Sequence, residues 1–153
     1  MAEKFNPFNI ENVRSELEYV DFKSLKEVRN PIIFDTNFLF CTFQFRIDII
    51  DSLENLVGKT FSLYIYEGTI AELANLGKKK TPNKKFLPLI ATMLKRYNFK
   101  IIKSEQKYID DQILENLDRD VLIATNDKEL IKRIKSGGGK GILVRQKSFL
   151  EFF

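Results

Sequence analysis

The chain has 153 residues, 44% of them hydrophobic and 30% charged, which is enough for one ordinary domain with a buried core and excludes a disordered tail. One cysteine, Cys41, and no histidine exclude a disulfide framework, a thiolate or imidazole zinc site and any nucleophile activated by a histidine base, so catalysis has to run on carboxylates, lysines or a metal. The net charge of +4 is segregated: residues 1–77 hold 7 Lys/Arg against 12 Asp/Glu, 78–107 hold 10 against 1, 108–127 hold 1 against 6, and 128–153 hold 7 against 2.

Alternating acidic and basic zones suit a molecule that binds a polyanion through lysines while its carboxylates handle hard divalent cations, although a solvated lysine surface has the same composition. No apolar run approaches the roughly 20 residues that span a bilayer, and residues 1–10 lack the apolar segment of a signal peptide. A soluble, cytoplasmic protein with no membrane partner is the expectation.

In chain order, residues 9–20 place Ile10, Val13, Leu17 and Val20 on one helical face, and Asn30-Pro31 then interrupts. Residues 1–30 read as a helical extension ahead of a core domain at 31–147. Ile32-Ile33-Phe34 has the compact apolar character of a buried parallel strand and stops at Asp35. Residues 43–57 carry an apolar stripe closed by Gly58, which predicts a helix, and the aromatic and β-branched run 61–66 predicts the second strand. A short helix over 69–76 ends at Gly77, and 78–85, with Pro82, reads as an exposed loop. A helix at 86–97, a strand at 99–102, a helix at 110–116, a strand at 121–124, a helix at 127–135 and a strand at 142–144 complete the alternation. The Gly137-Gly138-Gly139-Lys140-Gly141 run departs from phosphate-loop spacing and reads as a flexible connection. The apolar tail 148–153 is suited to docking on the body or on a second copy of the chain. Alternating strands and helices predict an α/β fold: a three-layer α/β/α sandwich around a central, mainly parallel sheet.

In open α/β sheets functional groups gather beyond the carboxyl ends of the strands, where Asp35 and Asp127 fall. Glu72 on the helix after the second strand and Asp111 on the helix before Val121 can reach the same crevice. Each acid alone reads equally as an N-cap or a solvated helix residue. Together they form a like-charged cluster that a cation relieves, and oxygen-only ligation favours Mg²⁺ or Mn²⁺.

Ile32-Ile33-Phe34-Asp35-Thr36-Asn37-Phe38-Leu39 resembles the opening motif of PIN-domain nucleases, and further motifs follow in order: Ile70-Ala71-Glu72-Leu73, Asp110-Asp111-Gln112-Ile113-Leu114, and the Thr125-Asn126-Asp127 stretch within VLIATNDKEL. The resemblance covers about residues 30–146. It is nearest to small archaeal PIN proteins related to rRNA-processing PIN nucleases and VapC-type toxins, and it implies a PIN-like fold. It implies a Mg²⁺- or Mn²⁺-dependent endoribonuclease that leaves 5′-phosphate and 3′-hydroxyl ends, serving rRNA processing or RNA turnover. Asp35, Glu72, Asp111 and Asp127 match the metal-binding catalytic acids, with Thr36 or Asn37 and Thr125 or Asn126 in support. Asp110 is the adjacent alternative to Asp111; the spacing of Ile113, Leu114 and Leu117 selects Asp111. A non-catalytic RNA-binding scaffold and a toxin with an antitoxin partner are the other readings, and a ribosomal partner or a homodimer fits the same resemblance. Lys78, Lys79, Lys80, Lys84 and Lys85, with Lys132 and Arg133 behind them, are the expected RNA contacts.

Overall fold

Pro31–Phe34 forms the central strand, β2, of a computed structural model that describes residues 10–103, 109–117 and 120–153; all four of its side chains are buried. The chain before it supplies helix α1 (Ile10–Glu16), a two-residue strand β1 (Tyr19–Val20) and a 3₁₀ turn (Phe22–Glu27). After it come α2 (Thr36–Gln44), α3 (Ile49–Val57), β3 (Ser62–Tyr66), α4 (Glu67–Gly77), a second 3₁₀ turn (Pro82–Phe86), α5 (Leu87–Arg96) and β4 (Lys100–Ile102). The last part holds α6 (Ile109–Glu115), β5 (Leu122–Ala124), α7 (Lys128–Ser136), β6 (Lys140–Arg145) and β7 (Phe149–Phe152).

The seven strands make one sheet in the order β1-β4-β3-β2-β5-β6-β7, parallel throughout except for β7, which runs antiparallel to β6. Alternation along the strands divides the core. Ile32, Phe34, Ile65, Ile101 and Ala124 face a layer built from α1 to α5, whereas Ile33, Tyr64, Tyr66, Ile102 and Ile123 face α6, α7 and Leu25 of the first 3₁₀ turn. This is the expected three-layer sandwich. Helices between β2, β3 and β4 lie on the first face and those leading to β5 and β6 on the second, so the connections reverse between β2 and β5. A crevice opens at such a switch point, beyond the carboxyl ends of both strands.

Two expectations differ from the structure, and two take a more definite form. The N-terminal helix ends at Glu16 rather than at residue 20, because Tyr19 and Val20 add to β4 as an edge strand; the predicted start at Asn9 lies outside the described residues. The helix expected over 43–57 is two helices, since Arg46 takes a left-handed conformation (φ 52°) and Asp48 caps a new start by accepting from the Asp51 N–H at 3.2 Å. The segment 78–85 is exposed but anchored: Gln44 donates to Asn83 at 2.9 Å and Phe86 stacks on Phe43, which ties it to α2. The apolar tail docks on the body as the strand β7, joined to β6 by a three-residue turn, 146–148, in which Gln146 and Lys147 both have positive φ (53° and 55°) and the Ser148 N–H donates to the Arg145 carbonyl at 3.1 Å.

The glycine run after α7 is also tighter than a flexible connection. A Cβ at Gly137 or Gly139 would lie within 3 Å of the Leu117 side chain, so the bare backbone is what admits Leu117 against the turn.

Candidate active site

Asp35 sits where β2 ends and α2 begins, and both roles follow from one carboxylate. Its Oδ1 accepts from the Phe38 N–H at 2.8 Å as the α2 N-cap, and its Oδ2 accepts from the Thr125 hydroxyl at the end of β5. Its own N–H donates to the Ala124 carbonyl at 3.0 Å, so the two central strands stay paired up to the crevice. Asp35 is 6% exposed and Thr125 fully buried. Burial pushes the Asp35 carboxyl up to about 7; the bonds from Thr125 and Phe38 oppose the shift, and the charges of Asp110 and Asp127 add to it.

The neighbouring acids come from three other elements. Glu72 lies on α4 and accepts from the Thr36 hydroxyl at 3.1 Å; partial burial raises its pKa, the Thr36 bond lowers it, and Asp110 raises it further. Asp127 caps α7 through the Glu129 and Leu130 N–H groups at 3.0 and 3.1 Å, and its own N–H donates to the Thr125 hydroxyl at 3.1 Å. Thr125 therefore touches both Asp35 and Asp127. Asn126 is a fastening rather than a crevice residue: its side chain accepts from the Val144 N–H at 2.6 Å and donates to the Val144 carbonyl at 3.3 Å, which ties the exit of β5 to β6. Asn37 accepts from the Cys41 thiol at 3.5 Å, and burial, with the Asp35 charge, pushes that thiol up to about 11.

The fourth element separates two adjacent acids. α6 buries Ile109, Gln112 and Ile113; at ~100° per residue Asp110 then stands on the flank of the helix and Asp111 nearly opposite the buried face. Asp110 acts electrostatically on Asp35 and Glu72, and its own pKa is raised by desolvation and by Asp127 and lowered by Arg133. Both acids are exposed, and Asp111 faces Arg133 at 4.0 Å. Asp110 thus couples electrostatically to Asp35, Glu72 and Asp127, and Asp111 couples to Asp110 and lines the same cleft as Glu72. The helical wheel set by Ile109 and Ile113 places Asp110 nearer the buried face than Asp111. A cleft of about 670 Å³ between α4 and α6, lined by Gly68, Ala71, Glu72, Asn75, Asp110 and Asp111, leads to the group.

An all-oxygen donor set around one buried carboxylate is chemically suited to a hard divalent cation. The spacing is open: among the described residues no three acids stand close enough to close on a single ion. Asp35, Glu72, the acids of α6 and the α7 cap Asp127 are the residues that would hold such an ion, and it would supply charge neutralisation to the crowded carboxylates. Of the cationic residues named from the sequence, Lys78, Lys79, Lys80, Lys84, Lys85 and Lys132 are exposed, and Arg133 is engaged with Asp111.

A family model described as a PIN like domain matches residues 32–147, a span that contains all four acids. Ribonuclease VapC4 of Methanocaldococcus jannaschii is 30% identical over 125 residues, covering 80% of this chain and 95% of that protein. The structure of the PIN domain endonuclease Utp24 superposes with a TM-score of 0.66 at 27% identity, covering 80% of this chain and 90% of that one. Order of motifs, sheet topology and these likenesses agree, and the chain belongs to the PIN-domain nuclease family.

Proposed function

We propose that the chain is a divalent-metal-dependent endoribonuclease whose working acids are Asp35, Glu72, Asp110 and Asp127. The observation that carries this reading is the buried Asp35 carboxylate at the sheet's switch point, crowded by the acids of three further elements. Relatives described as a ribonuclease and as a PIN domain endonuclease support the choice of reaction. A bound Mg²⁺ or Mn²⁺ would supply an activated water and charge neutralisation at the scissile phosphate.

The chain's own residues prepare that site in three ways. Thr125 and the Phe38 N–H fix the Asp35 carboxylate in one orientation, so little reorganisation is required on binding. Thr36 orients Glu72 across the crevice. Lys78, Lys79, Lys80, Lys84 and Lys85 form a rail that draws the RNA backbone toward carboxylates that would otherwise repel it, and their anchoring on α2 holds the rail in place.

Incubation of wild-type protein with Mn²⁺ and a structured or single-stranded RNA tests the reading. Internal cleavage with 5′-phosphate ends, lost in a folded Asp35→Asn variant, is the expected result. Cleavage that persists in that variant overturns it. The open spacing of the acids favours one second reading, a PIN-fold scaffold that binds RNA without cleaving it. Calorimetric titration separates the two: the nuclease binds Mn²⁺ and loses that binding with Asp127→Asn, whereas the scaffold binds RNA in a chelator and cleaves none.

A further inference from the structure

At the opposite pole of the sheet from the acids, where β2, β5 and β6 begin, lies a cavity of about 680 Å³. Its floor is apolar, made by Leu56 and Val57 of α3, Leu122 of β5 and Phe152 and Phe153 at the end of β7. Lys26, Arg29 and Lys140 stand around it, all exposed and in no ion pair among the described residues, against one lining acid, Asp120. Such a combination takes a ligand that is anionic and carries an apolar group.

The neighbouring strand narrows the ligand further. β7 is the last strand of the sheet, and Gly141 and Phe153 exchange both backbone bonds (3.4 and 2.9 Å), which fixes the ladder pattern between β6 and β7. In an antiparallel ladder hydrogen-bonded and non-bonded pairs alternate, so Leu150 and Phe152, opposite Val144 and Ile142, turn their N–H and C=O groups to the outer edge, on which no further strand lies among the described residues. Phe152, 48% exposed, belongs both to this edge and to the cavity. Open main-chain donors and acceptors beside an apolar pocket complement a polypeptide strand; a nucleic acid has no matching ladder to offer.

We propose that this cavity and the edge of β7 form a docking site for an acidic peptide segment of a partner protein. The segment adds as a strand beside β7, sets an apolar side chain on the Leu56, Val57 and Phe152 floor, and places its carboxylates against Lys26, Arg29 and Lys140. The site is remote from the acid crevice, so its test reads binding alone and does not depend on cleavage.

The probe is a fluorescent peptide of alternating Glu and Leu, titrated into the full chain and followed by anisotropy. Wild type is expected to bind it and to reject the corresponding Lys-Leu peptide. Replacing Lys26, Arg29 and Lys140 together by Ser is expected to weaken binding roughly tenfold or more, while Ser at Lys59, Lys128 and Lys135, an equal loss of charge elsewhere, leaves it within about twofold. N-methylation of alternate peptide nitrogens, which removes the ladder donors, is expected to abolish binding in one of its two registers. Equal affinity in both triple variants overturns the proposal, as does indifference to N-methylation in both registers. Displacement of the peptide by single-stranded RNA, with RNA affinity falling in the Lys26, Arg29 and Lys140 variant, would assign the surface to nucleic acid instead.

Discussion

Burying Asp35 makes its proton part of the folding equilibrium. The unfolded carboxyl titrates near 3.8 and the folded one near 7, so the native state holds this proton more tightly. The stabilising contribution is complete below the unfolded value and is lost as pH rises through about 7. Glu72 and Asp110 are shifted in the same direction. In chelator, urea midpoints of the wild type are expected to fall between about pH 4 and pH 7, and Asp35→Asn is expected to flatten that fall. On the proposed function a cation would substitute for the proton, so Mn²⁺ affinity is expected to rise over the same interval, measured by titrations at several pH values. The adjacent acids of α6 give a sharper comparison. Asp110→Asn is expected to lower cleavage roughly 100-fold or more, whereas Asp111→Asn loses only a surface pair worth about 0–1 kcal/mol and stays near wild-type rates. Single-turnover rates for the two variants decide between the neighbours.

Most elements are legible in the sequence because their apolar residues keep the helix or strand period, and the exceptions have local physical causes. The break between α2 and α3 hides in a continuous apolar stretch. Its markers are a non-glycine residue in the left-handed region, Arg46, and the Asp48 cap with Asp51 three residues later. The start of α2 is hidden because Asp35 passes for a strand end alone, although the same residue caps the helix behind it. β1 has two residues and β7 only four, both held by neighbours that sequence spacing does not disclose. At the site, the order of the motifs places the crevice, but the choice within Asp110-Asp111 depends on which flank of α6 is turned inward. Two fastenings between elements carry measurable weight. Asn126→Ala removes both bonds to Val144 and is expected to cost about 1–3 kcal/mol, seen as a lowered denaturation midpoint with unchanged m-value. Gly139→Ala drives a methyl into Ile134 and Leu117 and is expected to cost about 1–3 kcal/mol by the same measurement.

Across the whole molecule, charge and topology serve different ends of one sheet. Asp35 and Asp127 sit at the switch point, and the segment carrying the lysines after α4 is tied to the C-terminal end of α2 by the Gln44 to Asn83 bond and the Phe43 and Phe86 rings. Replacing Lys78, Lys79, Lys80, Lys84 and Lys85 by Ser is expected to weaken RNA binding across sequences and to flatten the plot of log affinity against log salt by ~0.7 for each phosphate no longer neutralised, with Mn²⁺ affinity nearly unchanged. An unaltered slope would move the RNA path to other cations. The bond from Thr125 to Asp35 spans 90 positions of the chain, and β2 has β3 alone for a neighbour until β5 is made. At about 5–20 residues per second, Asp35 waits on the order of 5–20 seconds after its own synthesis for the threonine that orients it and for Asp127. A growing chain therefore carries an incomplete set of acids past the RNA of the ribosome that makes it, and the crevice is assembled only when the last third of the protein has emerged.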